Sequence, residues 1–178
     1  MQAAADAMLA QLPEQSAVDL DAEAAIADEP RVAARLLEYR RGCFVALPPH
    51  TTLELIEHPL LVAVPGAPGH CRGLIAWQDR QLPLLDLHTL LQAYADDGAP
   101  PPAHVLVVAF QRAPRLPLEY GALCAPLLVE MIEVADSQQC ALPNDSDLWP
   151  SISLSCFSHK GRSVPVLDTA RLFAQPHL

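Results

Sequence analysis

The chain is predicted to be a mainly β protein built as two small barrels, and three observations carry that expectation. Short apolar runs recur with a Gly, Pro or polar turn signal every eight to twelve residues or so, the spacing of strands in small barrels rather than in an α/β sheet. The pattern from Gly73 to Leu91 returns near the C-terminus after a shift of 82 residues, which lays Arg80 on Arg162, Pro83 on Pro165, Leu85 on Leu167, Asp86 on Asp168 and Leu90 on Leu172. Between the two copies lies Ala95 to Ala103, where three consecutive prolines exclude a helix interior or a central strand. A hairpin repeated at that distance is what two copies of one small domain would leave in a sequence.

Taken in order, residues 1–34 form an acidic, Ala-rich tail in which Met8, Leu9 and Leu12 have helical spacing, broken by Pro13 and Pro30. The tail reads either as a partly helical mobile segment or as a short amphipathic docking helix. The first barrel spans 35–94. In it RLLEY and CFVAL read as two strands around Gly42, Pro48-Pro49 breaks the chain, and Thr52 to Glu57 alternates as a half-buried strand. A Pro/Gly loop from Pro65 to Gly69 then leads into the repeated hairpin, whose helix-like end, His88 to Tyr94, opens after Asp86. Past the linker at 95–103, the second barrel spans 104–173. It holds the strand HVLVVAF, a proline-bearing turn through Pro114 and Pro117, and one or two strands in LEYGALCAPLLVEMIEV. A polar loop from Asp136 to Trp149 precedes a hairpin around Lys160-Gly161 and a last helical turn, Thr169 to Phe173. Residues 174–178 are a short C-terminal tail.

At 178 residues and 51% hydrophobic content the chain has ample material for a core. Its apolar runs are strand-sized, far below the roughly 18 residues of a spanning helix. No basic residue precedes Arg31, so a secretory n-region is lacking, and a cytoplasmic protein without membrane insertion is expected. Seven of the acidic residues in a net charge of −10 fall in the first thirty positions. One lysine and ten scattered arginines make no cluster able to replace the counterions of a phosphate backbone, which argues against nucleic acid. Five cysteines without a CxxC pair are expected to be free thiols.

No catalytic constellation stands out. The seven histidines never take a ligand spacing with each other, and the adjacent His70-Cys71 would point to opposite faces of a strand. Neither a metal nor a cofactor is expected. A thiol nucleophile at Cys71 or Cys156 would need a base distant in sequence, and nothing singles either out. Asp86 and Asp168 occupy equivalent repeat positions before short helical segments, and read as N-caps in preference to a paired-carboxylate site. Trp77 is either a partner anchor or core; alternation places it with Ile75 on the inward face.

The run VPGAPGHCRGLIAWQDRQLPLLDL, with its second copy ending GRSVPVLDTARLF, resembles the CheW-like family of chemotaxis coupling proteins. Where that family has Gly-Val-Ile-Asn-Leu-Arg-Gly followed by Ile-Pro-Val-Val-Asp-Leu, this chain reads Gly73-Leu74-Ile75-Ala76-Trp77-Gln78-Asp79 and Leu82-Pro83-Leu84-Leu85-Asp86-Leu87. Upstream, Thr52-Leu53-Glu54-Leu55 takes the place of the family's Val-x-Glu-Ile. The resemblance covers about residues 35–173 and implies two intertwined five-stranded, SH3-like barrels. It also implies a scaffold without enzymatic activity, bridging the cytoplasmic tip of methyl-accepting chemoreceptors to the regulatory domain of a CheA-type histidine kinase. The receptor tip would lie in the groove between barrels. Thr52, Glu54 and Gly73 would then fall on the partner surface, with Gln78 and Asp79 at the neighbouring turn and Leu82 and Leu84 close by. The family's Arg-Gly turn is Gln78-Asp79 here, so a permanently charged bidentate donor is replaced by an amide beside a carboxylate. That departure suggests a divergent adaptor, of the kind found in systems controlling twitching by type IV pili. The expectations from other classes are a small metal- or thiol-dependent enzyme using His70, Cys71 or Cys156, and a self-associating structural module.

Overall fold

The computed structural model describes residues 29–92, 102–125 and 128–174. The expectations for the N-terminal tail up to Asp28, for most of the linker at 95–103 and for the last four residues lie outside these. Among the described residues the chain forms eleven strands and three short helices. The strands are β1 (Arg31–Arg40), β2 (Cys43–Leu47), β3 (Thr52–Glu57), β4 (Leu61–Val62), β5 (Cys71–Trp77), β6 (Arg80–Leu85), β7 (His104–Phe110), β8 (Glu119–Cys124), β9 (Leu128–Ala135), β10 (Ser153–His159) and β11 (Arg162–Leu167). The helices are α1 (Leu87–Gln92), α2 (Trp149–Ile152) and α3 (Thr169–Leu172). The fold is mainly β, as the turn spacing predicts. The first strand begins at Arg31, so residues 31–34 belong to the sheet and not to the tail, and Val32 to Ala34 pair with Val134 to Ile132.

Two sheets result, ordered β10-β11-β2-β1-β9 and β3-β7-β8-β6-β5-β4. One has the five strands expected, and the other adds the two-residue β4 to its five. The sheets do not follow the halves of the sequence. β1 and β2 join the last three strands, while β7 and β8 join the strands before the linker. The exchange is made by two parallel contacts at repeat-equivalent positions: Leu84 lies beside Ala122, and Val166, which is 82 residues further on, lies beside Ala46. The proline-rich linker therefore divides the sequence without dividing the sheets.

The repeat is as exact in the backbone as in the residues. A bulge between Cys71 and Gly73 in β5 has its counterpart between Ser153 and Ser155 in β10. The Asp86 N–H donates to the His70 carbonyl at 2.8 Å, and the Asp168 N–H to the Ile152 carbonyl at 2.8 Å. Both aspartates then cap a helix. The Asp86 Oδ1 accepts from the His88 N–H at 3.0 Å, and the Asp168 Oδ1 from the Arg171 N–H at 3.0 Å, satisfying donors that a short helix leaves orphaned.

Three apolar clusters follow from strands buried on both faces. Ile75, Leu82, Leu84, Val105, Val107 and Ala122 form one cluster on the six-stranded sheet, and Ala34, Leu36, Ala46, Phe157 and Val164 another on the five-stranded sheet. The alternate residues of the same strands, among them Leu37, Val45, Leu85, Leu106, Val108 and Leu167, meet in a larger shared core with Trp149, Ile152, Leu172 and Phe173 from the helical segments. This double burial explains why HVLVVAF is a continuous apolar run and not an alternating one. Gly121 belongs to the same packing, since a Cβ there would collide with the Phe173 ring, which stacks on Phe110 at 5.0 Å between centroids.

Candidate partner-binding surface

β3 ends one side of the six-stranded sheet and pairs only with β7 in it. The chain enters the strand from a 3₁₀ turn at Pro49–Thr51, held by the Thr51 and Thr52 hydroxyls, which donate to the Pro48 and Pro49 carbonyls at 2.8 Å each. A bulge between Thr52 and Glu54 then breaks the alternation. Leu53 and Leu55, which alternation assigns to one face, are 47% and 44% exposed, whereas Ile56 packs on the inner cluster.

At the other side of this sheet, Trp77 closes β5. It is 8% exposed and packs on the inner cluster, so the inward reading from alternation holds. Its Nε1–H donates to Glu54 Oε2 at 2.7 Å, which joins β5 to β3 although the two strands are not neighbours in the sheet order. The sheet is therefore curled enough for β5 to reach β3 through side chains. The Trp77 ring lies 5.2 Å from that of Tyr120, and the Arg80 guanidinium lies 4.8 Å from the Tyr120 ring centroid. Carboxylate, indole, phenol and guanidinium are thus linked by successive contacts.

A groove of about 640 Å³ runs beside these contacts, lined by His50, Leu53, Glu54, Trp77, Gln78, Phe110, Leu118 and Tyr120 among others. Glu54 and Gln78, two of the residues expected on the partner surface, are brought together here. Thr52 sits at the start of the same strand. Asp79 is exposed beside Gln78, whose φ of 50° is the left-handed conformation of this tight turn. The remaining three take other roles. Gly73 is buried with φ at 128°, and a Cβ on it would run into the Val62 carbonyl, so it is where β4 crosses β5 closely. Leu82 and Leu84 are 3% and 0% exposed and belong to the inner cluster. Both lie on the inward face of β6, while Gln81 is exposed and Pro83 half-buried on its other face. Tyr120 and Leu118 complete the groove, with Arg80 against Tyr120; the sequence marked Arg80 only as a repeat position and the other two not at all. Tyr120 reaches Trp77 only through the pairing of β8 into a sheet begun before the linker, and no local spacing signals that.

A second groove, of about 500 Å³, opens on the five-stranded sheet where the chain crosses between the sheets at Pro48–His50. Its walls are mostly apolar, from Val32, Ala34, Leu47, Val134, Phe157 and Val166 with Cys156 among them, and carry Asp136 and Gln139 as well.

For the candidate thiol and imidazole chemistry, the Cys71 Sγ lies 3.9 Å from the Gly73 carbonyl, its acceptor across the bulge. Burial, followed by a hydrogen bond with Cys140, pushes the Cys156 thiol up to about 12, so it is protonated at neutral pH. Among the described residues no group of three or more His, Cys, Asp or Glu side chains could hold a metal ion.

In sequence the chain matches the CheW-like domain across residues 40–177. No curated protein matches it. Among solved structures it is similar to the scaffolding protein TtCheW from Thermoanaerobacter tengcongensis. The TM-score is 0.63 at 12% identity, covering 82% of this chain and 94% of the other, a likeness of fold. With the family match spanning most of its length and the exchanged pair of sheets in place, the chain belongs to the CheW-like domain family.

Proposed function

We propose that this chain is a non-enzymatic adaptor that links the cytoplasmic tip of methyl-accepting chemoreceptors to the regulatory domain of a CheA-type histidine kinase. The observation that carries the reading is β3. It is an edge strand with unpaired backbone groups and outward Leu53 and Leu55, and it borders a groove whose Glu54 is held in place by Trp77. An exposed edge of this kind, carrying two leucines as well as two glutamates, is open to pairing with another sheet. Thr52, Glu54, Gln78 and Asp79 provide the polar part of the kinase-facing surface. The second groove, apolar and set at the crossing between the sheets, suits the helical receptor tip. No helix among the described residues is long and apolar enough to cross a membrane, in keeping with a protein working in the cytoplasm beneath the receptors. Gln78-Asp79 in place of an arginine turn fits a divergent adaptor, such as one serving type IV pilus motility.

The test is binding of the purified chain to a CheA-type regulatory domain and to a receptor tip fragment from the same cell. Leu55→Asp is expected to weaken kinase binding at least tenfold while leaving the circular dichroism unchanged. Gln78→Arg with Asp79→Gly is expected to strengthen it. Absence of binding by the unaltered chain to both fragments would overturn the reading.

A further inference from the structure

The ends of the five-stranded sheet meet at two cysteines. An isolated antiparallel bridge, Gln139 to Phe157, ties the segment after β9 to β10, and it places Cys140 opposite Cys156 at the next position. The Cys140 N–H donates to the Cys156 carbonyl at 3.0 Å, and the two sulfurs stand 3.5 Å apart. Opposed residues on antiparallel strands have Cα atoms about 4.5–5.5 Å apart, inside the range a disulfide spans. Cys140 is partly exposed and Cys156 is buried. The Cys140 Sγ also lies 3.7 Å from the Ser163 Oγ, a hydroxyl that can turn to donate to a thiolate.

We propose that Cys140 and Cys156 form a reversible redox site, in which a peroxide converts the dithiol to a disulfide that fixes the segment after β9 to β10. Cys140, the reachable sulfur, attacks as its thiolate. It breaks the O–O bond of hydrogen peroxide, becomes a sulfenic acid and releases hydroxide, which leaves as water on taking up the proton lost from the thiol. The Cys156 sulfur then attacks the Cys140 sulfur and expels hydroxide, which takes the Cys156 proton and leaves as a second water. Two thiols are oxidised, one peroxide is reduced, and an external thiol reverses the change. The raised affinity of Cys156 for its proton assigns it the resolving role and leaves the first attack to Cys140. Because Cys156 and Gln139 both line the apolar groove of this sheet, the disulfide stiffens one groove wall.

The experiment treats the full, reduced chain with hydrogen peroxide under native conditions, blocks remaining thiols after unfolding, and maps the products by mass spectrometry. The five thiols are expected to fall to three, with a Cys140–Cys156 linked peptide about 2 Da lighter than its reduced parts. Dithiothreitol is expected to restore all five. In Cys156→Ser, Cys140 is expected to accumulate as a sulfenic acid captured by dimedone, several-fold above the unaltered chain; in Cys140→Ser, Cys156 is expected to stay reduced. Five thiols surviving, a sulfinic acid at Cys140 beside a free Cys156, or bonds from either cysteine to any other partner would overturn the proposal.

Discussion

The hairpin of β5 and β6 with α1 and the hairpin of β10 and β11 with α3 are one unit built twice, yet their sheets are closed by different chemistry. Bulge, parallel exchange contact, carbonyl acceptor and aspartate cap recur at the same spacing of 82 residues. At the closures nothing recurs. The six-stranded sheet is joined by an indole donating to a carboxylate and bordered by exposed leucines, whereas the five-stranded sheet is joined by a backbone bridge and two thiols. What repeats is the framework that specifies the fold. What differs is the rim, and there the partner surface and the redox site are proposed.

The largest test of this division uses the paired bulges. Gly73 is left-handed and pressed against the Val62 carbonyl, while its counterpart Ser155 is exposed and carries a side chain without strain. Gly73→Ala is expected to lose roughly 3 kcal/mol by backbone strain and overpacking. Ser155→Ala should stay within about 0.5 kcal/mol. Urea denaturation of the two variants reads the difference, and equal losses would mean that β4 imposes nothing on β5.

The sheet interiors can be compared through their buried thiols, Cys124 in the six-stranded sheet and Cys156 in the five-stranded one. Burial raises both from 9.0 to about 12, so the folded state disfavours the thiolate. Stability from this source is complete below pH 9 and is lost as pH rises toward 12, at about 1.4 kcal/mol per pH unit for each thiol. Cys124→Ala is expected to make that alkaline limb shallower in a pH series of denaturation midpoints, by about one third above pH 10, where the Tyr39 hydroxyl, also raised by burial, contributes alongside the two thiols.

These contrasts also divide what could be read in the sequence from what could not. The strands, the repeat and the two caps were legible because each is local: a run of apolar residues, a fixed offset, an aspartate before a short helix. That Leu82 and Leu84 lie in the core was not, because alternation gives a period without saying which face meets water, and in β6 it is the face of Gln81 and Pro83. The exchange of strands was equally hidden, since Val166 finds Ala46 across 120 residues of chain with no mark in either segment. Glu54 was picked out by resemblance and Trp77 was read as anchor or core, but their contact was hidden, because it depends on a sheet curling through strands from both halves.

The closure of the six-stranded sheet gives the next prediction. Glu54→Ala removes the charged acceptor of a nearly buried indole N–H and is expected to lose about 1.5 kcal/mol, whereas Glu54→Gln keeps a neutral acceptor and loses less than half of that. Thermal unfolding followed by Trp fluorescence distinguishes the two. Equal losses would show that the contact contributes through packing alone.

The smallest effect on stability carries the sharpest information on binding. Arg80 and Arg162 occupy the same place in the two hairpins, the first residue after the turn. Arg80 lies over the Tyr120 ring at 4.8 Å, whereas Arg162 donates to the Gly42 carbonyl. Cation–π contacts at exposed sites are worth about 0.5–1 kcal/mol, and a single exposed hydrogen bond is worth a similar amount, so Arg80→Ala and Arg162→Ala are expected to destabilise the chain almost equally. Binding should separate them. Arg80 supplies a positive charge two residues from the Gln78 that replaces the family's arginine, and it borders the proposed kinase-facing groove, so Arg80→Ala is expected to weaken kinase binding several-fold and to reduce its dependence on salt. Arg162→Ala, on the other sheet, should leave both unchanged. If the two variants bind alike, the rim of the six-stranded sheet is framework as well, and the asymmetry between the sheets has another purpose.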